Sequence, residues 1–434
     1  METTAFLTDK YEVTMLQAML RAGRADHRAV FDLFARRLPK GRRYGVVGGV
    51  GRVVEAVKNF RFTDEQIAYL EADPIIDEAT INYLRNYKFR GIIVGQPEGS
   101  LYFPNTPILT VIGMFADCVL LETLLLSIMN HDSAVMSAAS RMVTAAEGMP
   151  MIEMGSRRTS ETSAVAAARA AYIAGFNATS NLQAGQLYQI PTTGTSAHAY
   201  TLAYGLDGEE QSFYDQMVAL GTDTTILVDT YNIPEGIRRA VHAANALGVS
   251  GPGGIRIDSG DLHEETVNAR ALLDSLGAVD TKIVLSSDID EYTISEMKER
   301  GTPVDAVGAG TRVVTGSGSP TAEMVYKLVQ INDTPVSKRA EGKVSTGGIK
   351  VTYREFHEDG TMAGEFFKVG ATSAPFTSGQ HPTQVLLVDG QSGYFHQEDI
   401  EVSRARHKEQ VAYLPESARL ILAGDAAFTA QQAD

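Results

Sequence analysis

Four apolar, β-rich runs between residues 225 and 316 each end in residues able to do chemistry. They read TTILVDTYN, GGIRIDSGDL, KIVLSSDIDE and DAVGAGTRVVTGSGS, and Asp229, Arg256, Asp258, Asp288 and Gly310 stand at their endings. Buried parallel strands read as short apolar runs, so these residues belong at the C-terminal ends of strands. In a barrel of parallel strands, that rim is where active sites are built. The same reading upstream adds Arg157 and Arg158 in EMGSRRTSET, Ser180 in FNATSN, and His198 in PTTGTSAHAY. Neighbours in this series lie about 20 to 30 residues apart, roughly one βα unit.

Each residue type suggests a task and has a plainer alternative. The glycine-rich GAGTRVVTGSGS, 308–319, follows a late strand, where barrels often cradle phosphate on backbone N–H groups; otherwise it is a surface loop. Arg157 suits bidentate contact with phosphate or carboxylate, against a surface ion pair. Asp229, Asp258 and Asp288 can position ribose hydroxyls, hold a magnesium ion through water, or stabilise positive charge. Alone, each would read as a helix N-cap. His198 follows a Gly-Thr-Ser turn, where a lone histidine is structural or catalytic, and its place at the rim favours function. His131 and His242 fall on predicted helices and are read as structural. No lysine stands at a strand end for a Schiff base, and no glutamate pair for glycoside hydrolysis.

Bulk properties narrow the classes. A chain of 434 residues with 44% hydrophobic and 21% charged residues is globular, with room for two or three domains. A net charge of −15 disfavours nucleic acid and anionic membrane as partners. The single cysteine, Cys118, makes neither an internal disulfide nor a cysteine-based metal cluster. The N-terminal METTAFLTDKYEV lacks the regions of a signal peptide, so a cytoplasmic location is expected. PILTVIGMFADCVLLETLLLSIMN is the most apolar stretch, but Asp117 and Glu122 interrupt it. It reads as a strand followed by a buried helix.

The elements that must position the rim follow from pattern. Residues 1–129 mix helices and strands, beginning with a helix capped at Thr8 and stopped by Gly23. From 130 to 330 strands alternate with helices of about 10–15 residues, seven or so βα units that predict an α/β barrel. An open doubly wound sheet is the alternative, although no GxGxxG fingerprint follows an early strand. Residues 331–434 return to β-like runs, KLVQI leading in and then IKVTYREF, FFKVG and TQVLLVDG, and are expected to pack on the N-terminal domain. The last dozen residues are expected to fray.

Taken in order, TDKYEVTMLQAML, MGSRRTSE, GTSAHAY, VDTYN, IRIDSGDL, SSDID, GAGTRVVTG and SKRAEGK resemble the type II phosphoribosyltransferases, specifically the nicotinate phosphoribosyltransferase family. The resemblance implies an irregular α/β barrel, with an α+β N-terminal domain completed by the C-terminal segment. It implies a homodimer with shared active sites. The implied reaction joins nicotinate to phosphoribosyl pyrophosphate, giving nicotinate mononucleotide and pyrophosphate for NAD biosynthesis. ATP hydrolysis would be coupled to it through phosphorylated His198, with Mg²⁺ present. Tyr11 would cross the dimer and stack on the pyridine ring. Arg157 would hold the phosphoribosyl phosphate region and Arg256 would face the nicotinate carboxylate. Asp229, Asp258 and Asp288 would line the ribose and metal region, and Gly310 with Thr311 the 5′-phosphate. Arg37, Arg42 and Lys338 are candidates for pyrophosphate contact.

Two positions depart from the family pattern. Met154 stands where an aromatic ring is usual, and Ser180 stands where nicotinamide-using relatives carry an aspartate. An aspartate would repel a carboxylate, so serine favours nicotinate. The rivals are a nicotinamide or quinolinate phosphoribosyltransferase and a phosphate-binding barrel isomerase or lyase.

Overall fold

The computed structural model describes residues 3–338, 346–370 and 376–433. Most of the SKRAEGK segment, from residue 339 on, lies outside them. The chain forms two compact units, one of residues 1–137 with 319–434 and one of residues 138–318.

The first unit is built on a mixed-origin antiparallel sheet. Its strands run Thr334–Pro335, Met324–Ile331, Arg28–Ala35, Leu109–Met114, Ile92–Gly95, Val385–Asp389 and Tyr394–Phe395. Strands from late in the chain therefore pair with strands from its start, Arg28–Ala35 with Met324–Ile331 and Ile92–Gly95 with Val385–Asp389. Arg28–Ala35 is buried along nearly its whole length, which is why it reads as a run and not an alternation. Phe31 stacks on Tyr326 with centroids 4.7 Å apart, joining early and late chain in one core. The one buried charge in that strand, Asp32, is neutralised by Lys350 at 2.7 Å and accepts from Thr110.

The apolar stretch 107–130 forms the strand Leu109–Met114, the short helix Phe115–Val119 and the start of the long helix Glu122–Ala146. Among the described residues no helix is long and apolar enough to cross a membrane. Two local expectations need correction. The first helix runs Lys10–Arg21 with Asp9 at the cap position. Thr8 donates its hydroxyl to Glu12 and to the Leu120 carbonyl instead. The C-terminus is also held further than expected: Gln431–Gln432 pairs in parallel with Met362–Val369.

The second unit is an irregular α/β barrel. Six parallel strands, Met151–Glu153, Ala178–Thr179, Thr225–Leu227, Gly254–Ile257, Lys282–Ser287 and Ala306–Ala309, are followed by helices or helical turns. We number them one to six. Strands three to six pair consecutively, six pairs with one, and one pairs with two. The first strand pairs with the last, as in a barrel, and the sheet stays open at a seam between strands two and three. A single bridge, Thr179 to Thr192, extends the sheet into that seam. The seven or so units expected from pattern are six among the described residues. The difference is LYQIPTTGTSAH, which forms no strand: Leu182–Tyr188 is helical and the residues before His198 are irregular.

Candidate functional site

The barrel's strand ends deliver side chains to one rim. Asp229 lies two residues beyond strand three, Arg256 is within strand four, and Asp258 follows that strand directly. Asp288 follows strand five and Gly310 follows strand six. Arg157 sits in the helical turn Ser156–Arg158 after strand one, and Ser180 is the residue after strand two. His198 is the exception to the expected pattern, since it opens the helix His198–Tyr204 rather than ending a strand.

The three aspartates are not consumed as helix caps. That task falls to Asn232, Asp261 and Asp290, whose side chains accept from backbone N–H groups of the helices Ile233–Ala246, Leu262–Ser275 and Glu291–Glu299. Each capping residue comes two or three positions after a rim aspartate, so both roles are filled in each loop.

The rim encloses a cleft of two lobes that share Met154, Arg157, Arg256 and Asp258. One lobe, about 500 Å³, is completed by Arg158, Ser286, Ser287, Asp288, Gly308, Gly310 and Thr311. The other, about 410 Å³, is completed by Ser180, the 193–197 segment and His198. Both volumes suit a small ligand. The first lobe combines cations with an open glycine-rich backbone, a surface for phosphate. A Cβ at Gly308 would come 2.7 Å from Met154 Sδ, so a larger residue there would push that thioether aside.

Charge placement is specific. Asp229 is almost fully buried; its Oδ2 accepts from the Asp258 N–H and the Ser259 hydroxyl, each at 2.8 Å. Its Oδ1 has no hydrogen-bond partner and lies 4.0 Å from His198 Nε2. The other ring nitrogen, Nδ1, is 3.2 Å from the Thr230 hydroxyl. Arg256 donates from Nη2 to the Ser196 carbonyl at 2.9 Å, while its buried Nε is unpartnered. Burial lowers the Arg256 pKa from the ordinary guanidinium value, and Asp258 and Asp229 act against that. An unpartnered, desolvated guanidinium N–H carries an unmet hydrogen-bonding demand.

Sequence reasoning passed over two residues. Glu153 is a carboxylate inside an apolar run, MIEMG, and the structure buries it. It accepts from the Gly155 N–H and, at 2.6 Å, from the Thr179 hydroxyl, tying the turn that carries Arg157 to the strand that ends at Ser180. Burial raises its pKa. Arg312, inside the glycine-rich segment, pairs with Asp288. Its signal is present in GAGTRVVTG, where the glycines point to phosphate and draw attention from the arginine between them.

Tyr11 belongs to the other unit, on the helix Lys10–Arg21, where it is 45% exposed. Arg37 in that unit pairs with Glu323 at 2.6 Å. Among the described residues no group of three or more His, Cys, Asp or Glu side chains is placed to hold a metal ion. The cleft carboxylates fit a magnesium ion only as one that arrives on phosphate and takes one or two protein ligands.

Comparison with known proteins decides the family. Residues 6–130 match the family model described as the nicotinate phosphoribosyltransferase (NAPRTase) N-terminal domain. The nicotinate phosphoribosyltransferase pncB1 of Mycobacterium tuberculosis is 53% identical over 370 residues, 84% of this chain and 81% of that protein. The chain belongs to the nicotinate phosphoribosyltransferase family. The member from Bacillus subtilis is 37% identical over 360 residues, covering 80% of this chain and 72% of its own. The fold agrees: the crystal structure of human nicotinic acid phosphoribosyltransferase superposes with a TM-score of 0.85 at 24% identity, over 98% of this chain and 97% of that one. Met154 lines both lobes. A thioether can pack on a ring face.

Proposed function

We propose that the protein is a nicotinate phosphoribosyltransferase. It joins nicotinate to phosphoribosyl pyrophosphate, yields nicotinate mononucleotide and pyrophosphate, and serves NAD biosynthesis in the cytoplasm. One observation carries this reading beyond family membership: Arg256 and Asp258 stand at the junction of a phosphate-suited lobe and a lobe bearing Ser180 and His198. Arg256 there faces the nicotinate carboxylate, and Asp258 with Asp288 faces the ribose.

The chemistry follows from charge. Substitution at the anomeric carbon passes through positive charge on the sugar, which nearby carboxylates stabilise. Arg157 and Arg158 receive the negative charge of the departing pyrophosphate, and Gly310 with Thr311 cradles the 5′-phosphate. Magnesium, carried on the pyrophosphate, adds charge neutralisation when bound. The pyridine nitrogen of nicotinate is already nucleophilic, so no strong base is required. Tyr11 is assigned to the pyridine ring across a homodimer interface.

ATP coupling is assigned to His198. The buried Asp229 carboxylate, 4.0 Å from Nε2, orients the ring, and phosphorylation at Nδ1 requires that nitrogen to release the Thr230 hydroxyl. The deciding experiment is nicotinate mononucleotide formation with phosphoribosyl pyrophosphate present or absent, and with ATP present or absent. Product that forms without phosphoribosyl pyrophosphate would sink the reading. Side-by-side assay of nicotinamide tests the rival substrate; equal or better turnover of the amide would overturn the role given to Ser180.

A further inference from the structure

We infer that Arg312 is a positioning residue for the phosphoribosyl half of the substrate: it holds Asp288 by one oxygen and, with Ser317, locks the glycine-rich loop to its neighbour. This rests on the proposed function, in which that loop receives phosphate. Arg312 donates from Nε and Nη2 to a single atom, Asp288 Oδ2, at 2.9 and 2.8 Å. Asp288 Oδ1 is left outside that pair, on a residue that lines the cleft. An uncompensated carboxylate in a phosphate lobe would repel the incoming polyanion. Arg312 offsets that charge while leaving one oxygen for a sugar hydroxyl.

A second bridge ties the same two loops. Ser317 donates its hydroxyl to Glu291 Oε2 at 2.7 Å, and buried Glu291 is in turn held through Oε1 by Arg141 Nε at 3.1 Å. The segment it anchors is unusual: Gly316, Ser317 and Gly318 all have positive φ, 66°, 50° and 83°. A serine in the left-handed region is uncommon and persists where surrounding contacts fix it. The Ser317 N–H also bonds the Arg312 carbonyl. Loops 288–291 and 310–318 are thus joined at two points before any ligand arrives, so less ordering remains to be done on binding. The Arg312–Asp288 pair is largely exposed, at 41% and 58%, and pairs of that kind contribute little to folding. Its loss should therefore be felt by the substrate and not by the fold.

The test is calorimetric binding of phosphoribosyl pyrophosphate with Mg²⁺ and no nicotinate, alongside steady-state kinetics and melting temperature. For Arg312→Gln the Kd and KM for phosphoribosyl pyrophosphate should rise about tenfold, with kcat and the nicotinate KM changed by less than about threefold. Arg312→Lys should recover part of the loss, and Ser317→Ala should shift the same constants in the same direction by less. Binding by Arg312→Gln equal to the parent's overturns the inference. So does equal impairment of the Gln and Lys variants, or a fall in kcat with KM unmoved. A parent enzyme that itself fails to bind phosphoribosyl pyrophosphate would instead overturn the proposed function.

Discussion

At the scale of single residues, the site's chemistry is divided between a buried carboxylate and two groups it does not fully satisfy. Asp229 spends one oxygen on the Asp258–Ser259 turn and aims the other at His198. His198→Ala should abolish ATP stimulation and leave slow, ATP-independent transfer. Incubation with γ-labelled ATP should mark the parent with an acid-labile, base-stable phosphate; equal labelling of the variant would show that His198 is not the acceptor. Arg256 is the second such group, anchored at one nitrogen and unpaired at another. Arg256→Ala should raise the nicotinate KM by an amount worth about 2 kcal/mol, the loss of a partly buried charge-assisted pair. An unchanged KM would remove Arg256 from carboxylate recognition.

At the scale of elements, the loops after strands three to five share one design: a rim aspartate, then a separate helix cap. Asp258 and Asp261 make the sharpest contrast, because they are the same residue type three positions apart in IRIDSGDL. Asp261 accepts from the Glu264 N–H at 3.0 Å and starts the helix Leu262–Ser275. Asp261→Ala should cost about 1 kcal/mol of stability with near-parental turnover. Asp258→Ala should do the reverse, holding its unfolding midpoint while losing most of kcat. Matching effects from the two variants would erase the division. Sequence pattern alone could not separate such pairs, since both residues follow an apolar run. What made the strands legible was burial on both faces, which leaves an unbroken apolar run. What hid His198's setting was the missing strand at the seam: LYQIPTTGTSAH is apolar enough to suggest one, yet only Thr192 pairs. Thr8 misled for a related reason, because a hydroxyl before a helix signals a cap only if no tertiary acceptor competes. Here the Leu120 carbonyl does, together with Glu12 in the helix's own first turn.

For the molecule as a whole, two buried groups pull stability in opposite directions with pH. His407, in the helix Ile400–Ala412, is buried with Nδ1 3.3 Å from the Gly99 carbonyl. Burial lowers its pKa from 6.5 to about 4, with the charge of Arg404 acting the same way. The unfolded chain therefore takes up a proton first, and stability falls as pH drops from 6.5 toward 4, by at most about 3 kcal/mol. Glu12 behaves oppositely. Burial, then the charges of Glu122 and Asp9, raise its pKa from 4.5 to about 7, against the Thr123 hydrogen bonds that lower it. A carboxyl that protonates more readily when folded stabilises at low pH and loses that contribution as pH rises through 7. Between pH 4.5 and 6.5 the two slopes oppose each other, so the parent's profile there is flatter than either group alone would make it. Urea unfolding across that range should separate them. His407→Gln should leave a protein whose stability declines as pH rises. Glu12→Gln should leave one whose stability climbs over the same interval. If both variants retrace the parent's curve, burial does not set either titration, and the acid response must come from the surface carboxylates instead.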